Sequence, residues 1–127
     1  MLPFHPEFRP GQSVYAEVIY SVKKAIVAGA LRPGDVFPSV RVMSQELRIN
    51  PNTAHKIIGA LINEGLLIAR TGIGTVVAPL RAATRDQRRE VLEEDIERLV
   101  VEARRRRLEI DEVIKAVRQQ WNRFPKE

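Results

Sequence analysis

The chain has 127 residues, 21 Lys or Arg against 16 Asp or Glu, and therefore a formal net charge of +5. This length suits one domain with an appendage and excludes an α/β barrel. The absence of cysteine excludes disulfides, thiolate zinc sites and cysteine nucleophiles. No apolar run reaches the length of a membrane span and no secretion-signal pattern opens the chain, so we expect a cytoplasmic protein without a membrane partner.

Charge density changes sharply near residue 80. Residues 1–80 hold 8 Lys or Arg and 5 Asp or Glu, whereas residues 81–127 hold 13 and 11. The second part also lacks glycine, which is typical of long exposed helices. We predict an N-terminal arm at 1–12, a folded domain at 13–78 and a helical tail at 79–127.

The first elements follow from proline, glycine and helical spacing. Prolines in residues 1–12 predict an extended arm, and Phe4 and Phe8 favour its docking on the body. Ser13 is a typical N-cap for a first helix that Gly29 ends in a left-handed conformation. Proline and glycine then predict a type II turn within 31–35.

Two more helices and a hairpin complete the domain. Ser39 predicts the start of a short second helix, and Asn50 followed by Pro51 predicts the start of a third that runs to about residue 64. The apolar stripe predicted for the third helix comprises Ala54, Ile57, Ile58, Leu61 and Ile62. Two β-prone runs, at 66–69 and 75–78, flank a glycine-bearing loop and predict a β-hairpin.

This order of elements indicates a mainly α fold with a small β-hairpin, a winged helix-turn-helix followed by a two-helix tail. Only about three residues separate the predicted second and third helices, which is the spacing of a helix-turn-helix. The hairpin that follows is in the position of the wing in a winged helix-turn-helix.

Several motifs in one register resemble those of GntR-type bacterial transcription regulators. The segments are 28–35, 37–41, 50–53, 63–66 and 72–77, and the likeness covers roughly residues 12–78. With a tail under 50 residues, the chain is similar to the short, YtrA-like branch, whose members carry a helical tail for dimerisation. The resemblance implies a winged helix-turn-helix that binds operator DNA as a dimer.

Residues at the start of the second and third helices and in the hairpin loop are candidates for DNA contact. Asn52 could pair with adenine, and Thr53 could touch a phosphate or a thymine methyl group. Arg41 could point at DNA across the turn, and Ser39 could donate to a phosphate. The predicted DNA-binding residues are Ser39, Arg41, Asn52, Thr53, His55, Lys56, Arg70, Thr71, Gly72 and Gly74.

Structural alternatives stay open for several of these residues. Ser39 caps a helix on any account, His55 is equally well explained as an exposed helix histidine, and Arg70 as an ordinary strand end. The chain departs from the family where Ile73 occupies the wing tip in place of Arg or Lys. It also departs where Arg48 replaces the usual glycine at the end of the second helix.

The tail predicts two amphipathic helices and, with them, a partner. One helix is expected from about Thr84 to Arg107, and Asp111 is expected to cap a second. Because each helix is apolar on one side only, a homodimer is the economical partner. The predicted dimerisation residues are Leu92, Ile96, Leu99, Ala103, Ile114, Val117 and Trp121. The run 104–107 fits either helix-end cations or a nucleic-acid patch.

The function expected from this sequence is that of a dimeric, sequence-specific repressor that binds a pseudo-palindromic operator in double-stranded DNA. The alternative is a winged-helix module for protein interaction without specific DNA readout. No catalytic residue, metal site or cofactor is expected, because His5 and His55 stand apart and no phosphate loop is present. The sequence leaves open whether a small-molecule effector binds at the dimer interface.

Overall fold

The computed structural model describes residues 1–126, which divide into two compact units, one of Met1–Leu80 and one that begins at Arg81. The first unit contains α1 (Val14–Ala28), α2 (Val40–Leu47), α3 (Pro51–Asn63), β1 (Leu67–Arg70) and β2 (Gly74–Val77). The fold is mostly helical with a two-stranded antiparallel hairpin, as the sequence predicts. None of the helices in the described residues is both long enough and apolar enough to cross a membrane.

Local capping explains where the three helices of the first unit begin. Ser13 Oγ accepts from the amide of Ala16 at 3.2 Å, and Ser39 Oγ accepts from the amide of Val42 at 3.2 Å. Asn50 Oδ1 accepts from the amide of Asn52 at 2.7 Å. Each cap satisfies one of the amides that a helix start leaves without an intrahelical partner, so the three predicted starts are confirmed.

The core of the first unit lies between the three helices and the hairpin. Met43 of α2 is completely buried in a core cluster that also includes Ile57 and Leu61 of α3 and Val18 and Val22 of α1. Four of the five residues predicted for the α3 stripe are buried, but Ile62 is more than a third exposed. Ile62 lies one residue past Leu61, where the 100° step of the helix already turns it away from the core.

The first strand of the hairpin begins and ends one residue later than the sequence predicts, and the second strand begins and ends one residue earlier. Leu67 pairs with Val77 and Arg70 pairs with Gly74, which leaves a loop of only three residues. Leu66 does not enter β1 because its amide donates to the carbonyl of Leu61 and closes the end of α3.

A third extended segment, which the sequence pattern did not reveal, lies beside β2. Val36 forms an antiparallel bridge with Val76. The amide of Phe37 donates to Thr75 O, and the amide of Val77 donates to Asp35 O, both at 2.8 Å. This segment ties the turn before α2 to the wing.

The N-terminal arm belongs to the first unit. Leu2 and Phe4 are buried, and the ring of Phe4 stacks on that of Phe37. Phe8 does not share this role, since it is 47% exposed. Farther along the arm, Arg9 forms an ion pair of 3.0 Å with the nearly buried carboxylate of Glu17 in α1.

The second unit is helical throughout its ordered elements. Its helices are α4 (Arg85–Arg89), a π-helical segment (Glu90–Asp95), α5 (Ile96–Arg105) and α6 (Ile110–Arg123). Thr84 and Gln87 form a reciprocal capping box at the start of α4. The helix predicted from Thr84 is therefore present, but a π-helical segment, whose hydrogen bonds span five residues, interrupts it.

The predicted cap of the last helix is wrong. Glu109 is the N-cap of α6 and makes no side-chain cap hydrogen bond, whereas Asp111 lies within the first turn. Arg107 has a φ of 60°, a left-handed conformation two residues before the N-cap of α6. Asp111 still places a negative charge near the helix N-terminus, where the macrodipole favours it.

Candidate nucleic-acid interface

The outer face of α3 carries polar side chains directly opposite its buried stripe. Asn52, His55 and Lys56 follow one another at spacings of three and one, and all three are exposed. Residues three and four apart lie on the same helix face, so these side chains form one exposed surface. The opposite face holds the core residues Ala54, Ile57, Ile58 and Leu61.

The first turn of α3 leaves its polar side chains free for an external partner. Asn50 uses its own Oδ1 to accept from the backbone amide of Asn52, and the side-chain amide of Asn52 has no hydrogen bond within residues 1–126. Thr53 is half-buried at the edge of the core, so only part of its side chain is accessible. Pro51 occupies the first helical position, where its missing N–H costs nothing.

The start of α2 presents a hydroxyl and a guanidinium. The oxygen of Ser39 accepts from the amide of Val42, which leaves the hydroxyl proton free to donate to an anion. Arg41 is exposed in the first turn of the same helix. A phosphate near this helix start would meet both side chains and the positive end of the helix dipole.

The wing ends in a tight loop with an apolar tip. Gly72 and Gly74 have φ values of 78° and 112°, a conformation that side chains rarely adopt. Between them Ile73 donates its amide to Arg70 O at 3.1 Å, and its side chain is 58% exposed. Arg70 and Thr71 are exposed beside it, so the loop offers a backbone and one cation to a partner.

A groove connects the start of α2 with the wing. It has a volume of about 550 Å³, and Ser39, Val42, Ile73 and Thr75 are among the residues that line it. Of the predicted contact residues, Ser39 and Gly74 line this groove together. The amide of Phe37 donates to Thr75 O at 2.8 Å, and both residues line the groove, so this hydrogen bond joins its two sides.

The part of the first unit from α2 to β2 has a net positive charge, and this charge is not neutralised by ion pairs within residues 1–126. The stretch from α2 to β2 holds four Lys or Arg but only two Glu, and the carboxylate of Glu64 is already paired with Lys23 at 3.0 Å. None of the four cations forms an ion pair within residues 1–126. Their charges are therefore free to attract an anion. The four cations are Arg41, Arg48, Lys56 and Arg70.

One residue of the α3 face is absent from the prediction made from sequence. Gly59 lies on the same exposed surface, seven residues after Asn52. The signal that would have identified it is its position in the helical repeat, because residues seven apart share a face.

The second unit exposes most of the residues predicted for dimerisation. Ile96 and Leu99 of α5, Ile114 and Val117 of α6, and Leu92 of the π-helical segment are each at least 40% exposed, and Trp121 is 79% exposed. Ala103 differs, because it is 7% exposed and is the one buried apolar residue of this unit among those described. A partner would therefore contact the exposed side chains listed above and not the buried methyl group of Ala103.

An apolar groove runs between α5 and α6. It encloses about 600 Å³, and its lining includes Leu99, Val113, Val117, Trp121 and Phe124. Exposed apolar area of this kind is costly in water and is typical of surfaces that contact a partner.

The arginine run at 104–107 is partly neutralised by its own helix. Glu102 forms ion pairs with Arg105 at 2.9 Å and with Arg106 at 2.8 Å. The hydrogen bond from Arg105, followed by the charge of Arg106, lowers the pKa of Glu102 below its ordinary value. These contacts favour the local, helix-end interpretation of the run over a nucleic-acid patch.

Together these features define the class of protein. Two helices joined by three residues, an exposed polar face on the second of them and a β-wing behind it make a winged helix-turn-helix. Residues 14–77, about half of the chain, match the family described as bacterial regulatory proteins, gntR family. The chain belongs to the GntR family.

Individual relatives extend the likeness beyond this domain. The chain is 26% identical over 106 residues to the HTH-type transcriptional repressor YtrA of Bacillus subtilis, covering 83% of this chain and 82% of the relative. Its fold is similar to that of a crystal structure from Listeria monocytogenes described as a transcriptional antiterminator. That likeness has a TM-score of 0.83 at 20% identity, over 92% of this chain and 88% of that one.

A third likeness concerns a structure determined with DNA. The DNA-binding domain of AraR in complex with operator ORX1 is 29% identical, with a TM-score of 0.51, over 59% of this chain and 96% of that one.

Proposed function

We propose that this chain binds double-stranded operator DNA in a sequence-specific manner and regulates transcription. The observation that carries the proposal is the exposed polar face of α3, which the fold leaves without any contact to its own core. The likeness to an AraR domain bound to its operator supports the same reading of this face. In a helix-turn-helix the second of the two helices, here α3, enters the major groove.

The side chains divide into those that read bases and those that hold the backbone. Asn52 has a free side-chain amide that suits the edge of adenine, and Lys56 suits a guanine or a phosphate. Arg41 and Ser39 at the start of α2 hold a phosphate. Thr53 adds a hydroxyl or methyl contact from its accessible edge, and His55 a single hydrogen bond.

The wing contributes by close backbone approach. Gly72 and Gly74 leave the loop backbone uncovered, and Arg70 and Thr71 beside it can reach a phosphate. Ile73 supplies only apolar contact, so the tip of the wing itself adds nothing to the salt dependence of binding, and any such contribution of the wing comes from Arg70.

We further propose that residues 79–127 form the dimerisation segment, that 13–78 form the DNA-binding domain and that 1–12 form its supporting arm. The exposed apolar side chains of α5 and α6 give a homodimer its contact surface. Two recognition helices related by a two-fold axis match two half-sites about one turn of DNA apart.

The direction of regulation and the location follow from this activity. We propose repression, because the relative YtrA is a transcriptional repressor and the chain is similar to it over most of both lengths. We also propose a cytoplasmic location, since that is where a bacterial operator would be bound. A small-molecule effector, if one acts, would bind at the dimer interface, next to the apolar groove of the tail.

The test is selection from a random duplex library, followed by gel shift of the selected DNA at several salt concentrations. We expect enrichment of a pseudo-palindrome and a logarithmic salt slope of about −0.9 for each phosphate neutralised. A folded dimer that enriches no sequence and retards no duplex at low salt would contradict the proposal. That result would favour the protein-interaction module, which the apolar side chains of Val42 and Ile73 beside the α2 groove could serve.

A further inference from the structure

Gly59 is a glycine that the fold itself does not need. The other six glycines of the chain all have a positive φ, which explains why a glycine stands at each of them. Gly59 has an ordinary helical backbone in the interior of α3, and a Cβ added there would meet nothing within 4 Å apart from its chain neighbours and the backbone of its own helix. Because glycine weakens a helix interior relative to alanine, its presence costs stability without a benefit inside the chain.

The position of Gly59 points to an external reason. Seven residues after Asn52 is about 20° short of two full turns, so the two residues lie on one line along the helix. Gly59 is three residues after Lys56 and four after His55, and the whole group is exposed. It therefore lies on the centre line of the face that we assign to DNA, at the C-terminal end of this group.

The dimensions of the two partners make this position sensitive. An α-helix with its side chains is about 10–12 Å across, and the major groove of B-DNA is about 12 Å wide. The side chains on the inward face therefore decide how deep the helix can lie. A missing side chain on the centre line of that face lets the helix backbone approach the DNA directly.

We propose that Gly59 is a close-approach position that sets the depth of α3 in the major groove, and so determines whether Asn52 and Lys56 reach the base edges. This inference rests on the proposed DNA-binding function. The inference adds a specificity-determining residue that acts through the absence of a side chain. It predicts that a side chain introduced at position 59 raises the stability of the chain and lowers its affinity for DNA.

The test measures both quantities on the full chain with Gly59→Ala and Gly59→Leu, using the duplex that the wild-type chain selects from a random library. Alanine should raise the urea midpoint of unfolding, because it favours the helix and meets no neighbour. It should nevertheless weaken binding roughly tenfold, the scale of one lost base contact, and leucine should weaken it further. Binding to an unselected duplex should change less than binding to the selected one.

Val27→Ala is the matched control. Val27 is exposed in α1, and alanine there also favours the helix, but the change lies outside the α3 face. This control should gain stability and keep its DNA affinity. If Gly59→Ala binds the selected duplex within twofold of wild type, the close-approach role is refuted. If the wild-type chain itself selects no duplex, the proposed function fails instead, so the two failures are distinguishable.

Discussion

Phe4 of the N-terminal arm stacks on Phe37, with ring centroids 5.5 Å apart and ring planes within 3° of parallel. Both rings are buried. Phe37 is also hydrogen-bonded through its amide to Thr75 of β2, and Ser39, two residues later, caps α2. The arm therefore supports the short segment that connects the wing to the helix-turn-helix.

Removing this ring should destabilise the first unit. We expect Phe4→Ala to lower the free energy of unfolding by about 3 kcal/mol, because a buried aromatic side chain is replaced by a cavity. Urea denaturation followed by circular dichroism measures the change. Phe8→Ala is the control, and its half-exposed ring should cost clearly less; equal losses for both variants would show that the stacked pair is unimportant.

Arg48 ends α2 in a left-handed conformation with a φ of 55°. A side chain costs roughly 1 kcal/mol in this conformation, so Arg48→Gly should stabilise the unit by about that amount in thermal or urea unfolding. Gly65→Ala provides the reverse case, since Gly65 has a φ of 81°. It should destabilise the unit, and a loss of stability in Arg48→Gly would contradict the assignment of strain.

Arg41→Ala should weaken DNA binding without unfolding the chain. Arg41 is exposed and has no ion pair within residues 1–126, so its loss removes a phosphate contact and leaves the core intact. We expect the logarithmic salt slope of binding to become shallower by about 0.9. Lys24→Ala, on the exposed side of α1, removes the same charge and should leave both affinity and slope nearly unchanged. An unchanged slope in Arg41→Ala would remove Arg41 from the interface.

Ile73→Arg should strengthen binding at low salt. The wing tip is exposed and carries no charge, so an arginine there can neutralise a phosphate that isoleucine cannot. We expect the salt slope to become steeper by about 0.9, whereas Ile73→Ala should leave the slope unchanged. A gel shift over a range of salt concentrations measures both, and equal slopes for the arginine variant and wild type would show that the wing tip does not reach the phosphates.

Ile96→Glu should disrupt the homodimer that we propose and leave a monomer. Ile96 lies in the exposed apolar stripe of α5, where a charge would be buried without a partner on association. Sedimentation equilibrium measures the state of association, and circular dichroism should show the helices retained. Val101→Glu changes an exposed valine of the same helix outside the predicted stripe, and it should leave the dimer intact. A dimeric Ile96→Glu would place the interface elsewhere.

The sequence was a good guide wherever a contact spans only a few residues. Ser39 and Asn50 reach amides two or three positions away, so a local pattern is enough to place the starts of α2 and α3. A local pattern gave the wrong helix start where two nearby residues were both candidates for the N-cap. Asp111 is a good capping residue, but the left-handed turn at Arg107 places Glu109 at the helix boundary instead.

The candidate DNA-binding side chains could also be chosen from the sequence, because the start of a recognition helix is defined by its cap. The exposed position of Gly59 on the same face shows the limit of that choice. Its helical phase is readable from the sequence, but the empty space around its missing Cβ can be read only from the packed unit.

By itself, the sequence determined the helices of the first unit, the order of its elements and the dense charge of the tail, since these depend on capping, periodicity and composition. Only the tertiary structure decided that Phe4 packs on Phe37 and Phe8 does not, and that Val36 bridges Val76 as a third extended segment. Those contacts join residues more than thirty positions apart. Their partners are chosen by which surfaces remain uncovered after the helices pack, and no local pattern of residues records that choice.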